Sequence, residues 1–144
     1  MNKTSHTANI LVVEDDDPVR LMLGELLSRE GHRVFLARDA LTAAALLEEV
    51  VPDLVITDYH MPEMNGWDLA LHIRHAFPDL PVLLITGLPA VLSYAEAPGS
   101  PFDEVLAKPF RVDALFSCIQ STLERGTQPQ RPSFHADLSL DHPV

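Results

Sequence analysis

Five short apolar runs, separated by longer amphipathic stretches, are the feature that most constrains how this chain can fold. Each run has the length of a β-strand and consists mostly of β-branched or aliphatic residues. Runs that are apolar at nearly every position are typical of strands covered on both faces, as in a parallel sheet. The predicted strands are residues 10–13, 33–37, 54–57, 82–86 and 104–107.

The stretches between the runs have helical periodicity. Pro18 is suited to the start of the first helix, and Asp39 is a predicted N-cap for a second helix over residues 40–50. Pro78 ends the third helix, and the last one covers residues 112–123. The alternation predicts an α/β fold of (βα)5 type, an open, doubly wound sheet of five parallel strands.

Three segments lack a strong periodic pattern. The stretch between Thr86 and Glu104 is rich in proline and glycine, so we expect a short fourth helix and the most mobile structured part of the molecule. Residues 126–144 contain three prolines and no periodicity, which predicts a disordered tail. Residues 1–9 are polar and are also predicted to be disordered, which leaves residues 10–125 as one domain.

Composition excludes several classes of protein. The chain has 144 residues and a formal net charge of −11, which disfavours direct binding to nucleic acid phosphates. The sequence contains no apolar run of the ~20 residues needed to cross a bilayer and no secretory signal, so a cytoplasmic protein without membrane contact is expected. Cys118, the single cysteine, is interpreted as a small core residue.

Polar side chains lie where the predicted strands end. The first strand is followed by Glu14 and Asp15, the third by Asp58, the fourth ends in Thr86, and Lys108 follows the fifth. In an open α/β sheet, ligands bind in the crevice beyond the carboxyl ends of the strands. We therefore expect three carboxylates, one hydroxyl and one ammonium group to converge there.

This group of side chains suggests a metal and phosphoryl site. Carboxylates packed closely raise each other's pKa unless a cation joins them, and Mg²⁺ prefers such oxygen ligands. With the metal bound, Asp58 can act as a nucleophile towards a phosphoryl group, while Lys108 offsets charge on the transferred oxygens. Two further acidic residues are left out of the site, and Asp17, just before Pro18, is interpreted as the cap of the first helix.

The ordered motifs "ILVVEDD", "PDLVITDYHMPEMNG", "PVLLITG" and "AKPF" resemble the receiver domain of bacterial two-component response regulators, over residues 10–123. The resemblance implies a flavodoxin-like fold like that of the single-domain chemotaxis regulators. It also implies that Asp58 is the phosphoacceptor, Thr86 the switch hydroxyl and Lys108 the phosphate partner. A cis peptide bond before Pro109 is a further implication.

The resemblance further implies how Mg²⁺ is held. The carboxylates of Asp15 and Asp58 and the main-chain carbonyl of His60 would surround the ion, and Glu14 would act through water. Val105 departs from the family pattern, because receivers commonly carry Tyr or Phe three residues before the lysine. The aromatic rotamer switch is therefore expected to be absent or replaced. Trp67 is interpreted as a packing residue.

Two classes of function remain open at this point. The preferred interpretation is a signalling module and not an enzyme, phosphorylated by a histidine kinase or a phosphotransfer protein and acting as a monomer or weak homodimer. The alternative is a phosphatase with an aspartyl-phosphate intermediate, which usually needs a second carboxylate close after the nucleophile, where this chain has His60. A detached receiver part of a larger protein, such as a hybrid kinase, would have the same local chemistry.

Overall fold

The computed structural model describes residues 7–126, and five of their segments form one parallel sheet. All four neighbouring strand pairs are parallel, in the order β2-β1-β3-β4-β5, which confirms the predicted doubly wound architecture. The strands are β1 (Asn9–Val13), β2 (Arg33–Ala37), β3 (Leu54–Asp58), β4 (Val82–Thr86) and β5 (Glu104–Ala107).

One helix follows each strand, so the chain order is (βα)5. The fourth helix has only seven residues, as its proline-bounded sequence predicted. The helices are α1 (Asp17–Arg29), α2 (Ala40–Glu49), α3 (Gly66–Ala76), α4 (Pro89–Ala95) and α5 (Val112–Gly126).

Helices cover both faces of the sheet, which explains why the strands are apolar at nearly every position. α1 and α5 pack on one face, and α2, α3 and α4 pack on the other. The first face buries Leu23, Leu27, Leu115 and Ile119. The second buries Leu47, Ile73, Val91 and Ala95. The change of direction in strand order falls at β1 and β3, and the crevice for a ligand lies beyond their carboxyl ends.

Several element boundaries differ from the sequence-based predictions, mostly by one residue. The N-cap of α1 is Asp16 and not Asp17, because the carboxylate of Asp16 accepts a hydrogen bond from the Val19 amide at 3.3 Å. Asp17 is the first helical residue, and its carboxylate pairs instead with Arg20 at 2.7 Å. β1 already includes Asn9, whose amide donates to Asp53 Oδ2 at 2.8 Å.

At the other end of the domain, α5 includes Gly126. In addition, β3 extends to Asp58 and α2 already ends at Glu49. The predicted disordered segments otherwise fall mostly outside the described residues, namely residues 1–6 of the first and residues 127–144 of the second. The N-cap predicted at Asp39 is confirmed by its 2.8 Å contact with the Thr42 amide.

Arg74 is a buried charged side chain that joins α3 to the starts of β4 and β5. Only 2% of its side chain is exposed, and its guanidinium donates to the carbonyls of Pro78, Leu80 and Pro101 at 2.8–3.0 Å. It also pairs with Asp103 Oδ2 at 2.8 Å, an oxygen that accepts from the Val82 amide as well. Burial of this charge is tolerated because so many of its donors are matched.

We predict that Arg74→Met lowers the free energy of unfolding by about 3–5 kcal/mol, because it leaves a carboxylate and several carbonyls without their donor. The matched control is Arg29→Met, since Arg29 pairs with Glu25 at 2.9 Å with both side chains largely exposed. That variant should lose less than about 1 kcal/mol. Urea denaturation followed by circular dichroism measures both, and equal losses would contradict the role given to Arg74.

Candidate functional site

Four of the predicted site residues meet at the carboxyl edge of the sheet. Register explains the meeting: Val13 at the end of β1 pairs with Thr57, which directly precedes Asp58 at the end of β3. Glu14 and Asp15 therefore emerge beside Asp58. Lys108 follows β5 and reaches across to them from the far side of β4.

The three acidic side chains lie close enough to share one cation. Glu14, Asp15 and Asp58 each offer a carboxylate oxygen, and these atoms all lie within 4.8 Å of one another. Glu14 is buried, Asp58 is half-buried and Asp15 is exposed, so the cluster opens to solvent on one side. A set of hard oxygen donors in this arrangement fits a divalent ion such as Mg²⁺.

Lys108 supplies a positive charge to this cluster. Its Nζ lies 3.3 Å from Glu14 Oε1 and 3.6 Å from Asp58 Oδ2, and its side chain is 28% exposed. One ammonium group is thus shared between two carboxylates. The Lys108–Pro109 peptide bond is cis, as the resemblance predicted.

Glu14 is held in an environment that disfavours its charged form. Burial and the neighbouring Asp58 carboxylate raise the pKa of Glu14, while the Asp16 amide and Lys108 act in the opposite direction. The Asp16 amide donates to Glu14 Oε2 at 3.2 Å. A bound divalent cation would favour the charged form, so the electrostatics of this residue agree with a metal site.

Asp58 is oriented by the loop that follows it. Its Oδ1 accepts a hydrogen bond from the Tyr59 amide at 2.7 Å, and its carbonyl accepts one from the Thr57 hydroxyl at 2.8 Å. The Gly66 amide donates to the Tyr59 carbonyl at 2.7 Å. A Cβ atom at Gly66 would lie 2.3 Å from the Asp58 carbonyl oxygen, so only glycine permits this close approach.

The remaining two predicted site residues lie at the margin of the cluster. Thr86 is buried at the end of β4, and its hydroxyl accepts a hydrogen bond from the Leu88 amide at 3.2 Å. Leu88 is the N-cap of α4, so this hydroxyl contacts the start of that helix. His60 is exposed in the loop after Asp58, and the predicted role of its carbonyl stays a prediction.

An aromatic group beside Asp58 was missed by the sequence analysis. The hydroxyls of Tyr59 and Tyr94 are 3.3 Å apart, and Asn65 Nδ2 lies 3.4 Å from the Tyr59 hydroxyl. The hydrogen bond with Tyr94, together with burial, raises the pKa of Tyr59 to about 12, so the phenol stays protonated at neutral pH. Trp67 packs edge-on against Tyr94 and Phe102, with ring centroids 5.5 and 5.7 Å away, which confirms it as a packing residue.

Val105 lies on β5 and is half-buried against the core cluster on the α2, α3 and α4 face. It pairs with Leu84 in the sheet, three residues before Lys108. A short, stiff valine offers no ring that could alternate between buried and exposed rotamers.

A cavity of about 610 Å³ opens elsewhere, next to the amino-terminal ends of the strands. Pro52, Phe77, Leu80 and Leu123 contribute to its walls. It is remote from the acidic cluster, so the chemistry of the site does not involve it. Among the helices of the described part of the chain, none is long and apolar enough to span a membrane.

Comparison with known proteins agrees with this geometry. The family model of the response regulator receiver domain matches residues 10–120. "Response regulator MprA" of Mycobacterium sp. (strain KMS) is 34% identical over 136 residues, which cover 92% of this chain and 59% of that protein. The chain thus spans about three-fifths of that curated relative.

Solved structures give the same result. The signal receiver domain of an HD domain-containing protein from Pseudomonas fluorescens Pf-5 has a TM-score of 0.77 and 30% identity, covering 84% of this chain and 98% of that one. Response regulator TrrA from Thermotoga maritima, solved in complex with Mg²⁺ and BeF, has a TM-score of 0.73 and 30% identity, covering 79% and 97%. Because the family match extends over β1 to β5 and includes every strand end that forms the acidic edge, the chain belongs to the family of response regulator receiver domains.

Proposed function

We propose that this chain accepts a phosphoryl group on Asp58 and signals through the change in protein contacts that follows. The observation that carries the proposal is the convergence of Glu14, Asp15, Asp58 and Lys108 at the carboxyl edge of the sheet. Glu14 and Asp58 each accept a hydrogen bond from a backbone amide and contact Lys108, but the Glu14 side chain is only 3% exposed, whereas Asp58 is half-buried and more open to an incoming phosphoryl group. Membership of the receiver family supports the same assignment.

Mg²⁺ is the proposed cofactor, held by the Asp15 and Asp58 carboxylates and the His60 carbonyl, with Glu14 acting through water. When bound, it would offset negative charge on both the carboxylates and the phosphoryl oxygens. The fit rests on the clustered carboxylate oxygens, which all lie within 4.8 Å of one another. The solved complex of TrrA with Mg²⁺ and BeF supports this by analogy.

The chain's own residues would divide the transfer among them. An oxygen of Asp58 forms a bond to phosphorus as the bond between phosphorus and the donor's histidine nitrogen breaks, and that nitrogen keeps the electron pair. The Lys108 ammonium lies against the transferred oxygens. The Thr86 hydroxyl, which accepts a bond from Leu88, retains its own proton to donate to a phosphoryl oxygen.

The partners proposed are a sensor histidine kinase or a phosphotransfer protein as donor, and a downstream protein as target. Direct binding to nucleic acid is disfavoured by the net charge of −11. The phosphatase alternative is not favoured, because position 60 is histidine and the family is that of receivers. We therefore propose no catalysis beyond the phosphorylation and dephosphorylation of Asp58 itself, in a domain of residues 10–125 in the cytoplasm.

The first test of this proposal is covalent labelling. A small-molecule phosphodonor with Mg²⁺ should add one phosphate to the wild-type chain, and Asp58→Asn should abolish the addition because it removes the nucleophile. Asp17→Asn is the matched control, since Asp17 is a nearby but largely exposed carboxylate paired with Arg20. Intact-protein mass spectrometry measures the product. Equal labelling of Asp58→Asn and the wild type would refute the assignment.

Mg²⁺ binding and phosphorylation should be weakened by different substitutions. We expect Asp15→Asn to weaken Mg²⁺ binding by roughly tenfold or more, about 1.4 kcal/mol, because an ionised ligand is lost. Lys108→Ala should leave Mg²⁺ binding largely intact and still impair phosphorylation, because its ammonium meets phosphoryl oxygens. Isothermal titration calorimetry gives the Mg²⁺ affinity, and labelling rates give the second quantity. Loss of Mg²⁺ affinity in Lys108→Ala as large as in Asp15→Asn would contradict this division.

The conformational response should concentrate near α4. Beryllofluoride with Mg²⁺ mimics the aspartyl phosphate, and we expect it to change hydrogen exchange most in residues 87–101 and in the loop after Asp58. The reason is that α4 has only seven residues and no side-chain N-cap bond, so its local stability is low. Exchange measured by mass spectrometry should change less in residues 112–123. The opposite ranking would show that the switch lies in α5.

A further inference from the structure

We propose that Tyr94 is a positioning residue for Asp58, acting through its hydroxyl contact with Tyr59 and tying the last turn of α4 to the site. This inference rests on the proposed phosphoacceptor role of Asp58. It assigns a function to two tyrosines that lie 35 positions apart in the sequence and that the receiver motifs quoted above do not pair.

The contact chain is short. Tyr94 and Tyr59 join through their hydroxyls at 3.3 Å, and the amide of Tyr59 donates to Asp58 Oδ1 at 2.7 Å. Asn65, the N-cap of α3, supports the Tyr59 hydroxyl from the other side at 3.4 Å. Tyr59 therefore contacts the Asp58 carboxylate with its backbone and α4 with its side chain.

α4 is fastened to the site at both ends. At its start, the Leu88 amide donates to the Thr86 hydroxyl at 3.2 Å, and in its last turn Tyr94 contacts Tyr59. Val91 and Ala95 bury the inner face of the helix. If Thr86 turns its hydroxyl towards a phosphoryl group, its hydrogen bond with the Leu88 amide is lost. The contact between Tyr94 and Tyr59 then determines how far α4 moves together with the site.

Packing holds the ring of Tyr94 independently of its hydroxyl. The ring meets Trp67 edge-on at 5.5 Å, and the Tyr94 residue is 44% exposed. Tyr94→Phe keeps that ring contact and removes only the hydroxyl. Because Trp67 is the single tryptophan of the chain, its fluorescence reports on this neighbourhood.

The hydroxyl contact is present in the free protein, where it restrains Tyr59 and hence the amide that holds Asp58. If the added group draws the Tyr59 amide away from Asp58 Oδ1, this restraint opposes the addition. Loss of one such hydrogen bond should therefore favour the phosphoryl-like state, by about two- to tenfold in affinity for beryllofluoride. The same loss should reduce the movement of α4 that accompanies binding.

The experiment is a double-mutant cycle on the full chain, with Tyr59→Phe, Tyr94→Phe and the double variant, in excess Mg²⁺. Fluorine NMR of bound beryllofluoride gives the affinity, and Trp67 fluorescence gives the response near α4. We expect each single variant to bind about two- to tenfold more tightly, the double variant to gain no more than a single one, and the fluorescence change to shrink in all three. Ser93→Ala removes a neighbouring hydroxyl from the same helix and should behave as the wild type.

The outcomes distinguish the phosphoacceptor role of Asp58 from the positioning role of Tyr94. Wild-type chain that binds no beryllofluoride and is not labelled at Asp58 would overturn the proposed function and this inference together. Wild-type binding with unchanged affinity in Tyr94→Phe, or with additive gains in the double variant, would overturn the role of Tyr94 alone. A change in Ser93→Ala as large as in Tyr94→Phe would also overturn it.

Discussion

The rest of the site depends on the repulsion among the carboxylates at one edge of the sheet. Glu14, Asp15 and Asp58 are brought together by the pairing of β1 with β3, which is itself fixed by apolar strands that must be covered on both faces. Lys108 offsets part of the negative charge, and burial of Glu14 increases the electrostatic cost of the remainder. A bound cation or an added proton would reduce the repulsion among these carboxylates, so the electrostatics of this edge depend on what binds there.

Along each strand, the residues that stabilise the fold come first and the residues that supply the chemistry follow at its end. The middle of the sheet is packed by aliphatic side chains from both faces, while the polar groups that give chemistry begin only where each strand ends. The close approach of Gly66 to the Asp58 carbonyl belongs to the second region, because it fixes the loop that presents the carboxylate. The site is therefore assembled by short-range contacts on top of a sheet whose order was already determined by its core.

Sequence could predict the strands, the helices and the polar strand ends, because each depends on a local pattern: apolar runs, capping residues and breakers. It could not predict contacts between distant segments that leave no periodic trace. Arg74 looks like an ordinary helical arginine, yet its partner Asp103 lies 29 residues further on. Tyr59 and Tyr94 meet only because the loop after β3 and the last turn of α4 share one side of the sheet. The cap of α1 was misplaced by one residue because four consecutive acidic side chains offer equivalent oxygens.

The buried guanidinium of Arg74 has a mechanical consequence for the short helix α4. It binds the carbonyls of Leu80 and Pro101, which flank the segment that contains β4 and α4, at the edge of the sheet away from the carboxylates. Both ends of this segment are therefore fixed by hydrogen bonds to the same side chain. Because these two points are held by the same buried side chain, we expect a backbone change that begins near Thr86 to move α4 more than the ends of the segment. The position of Arg74 thus influences which surface of the molecule changes shape and is presented to a partner.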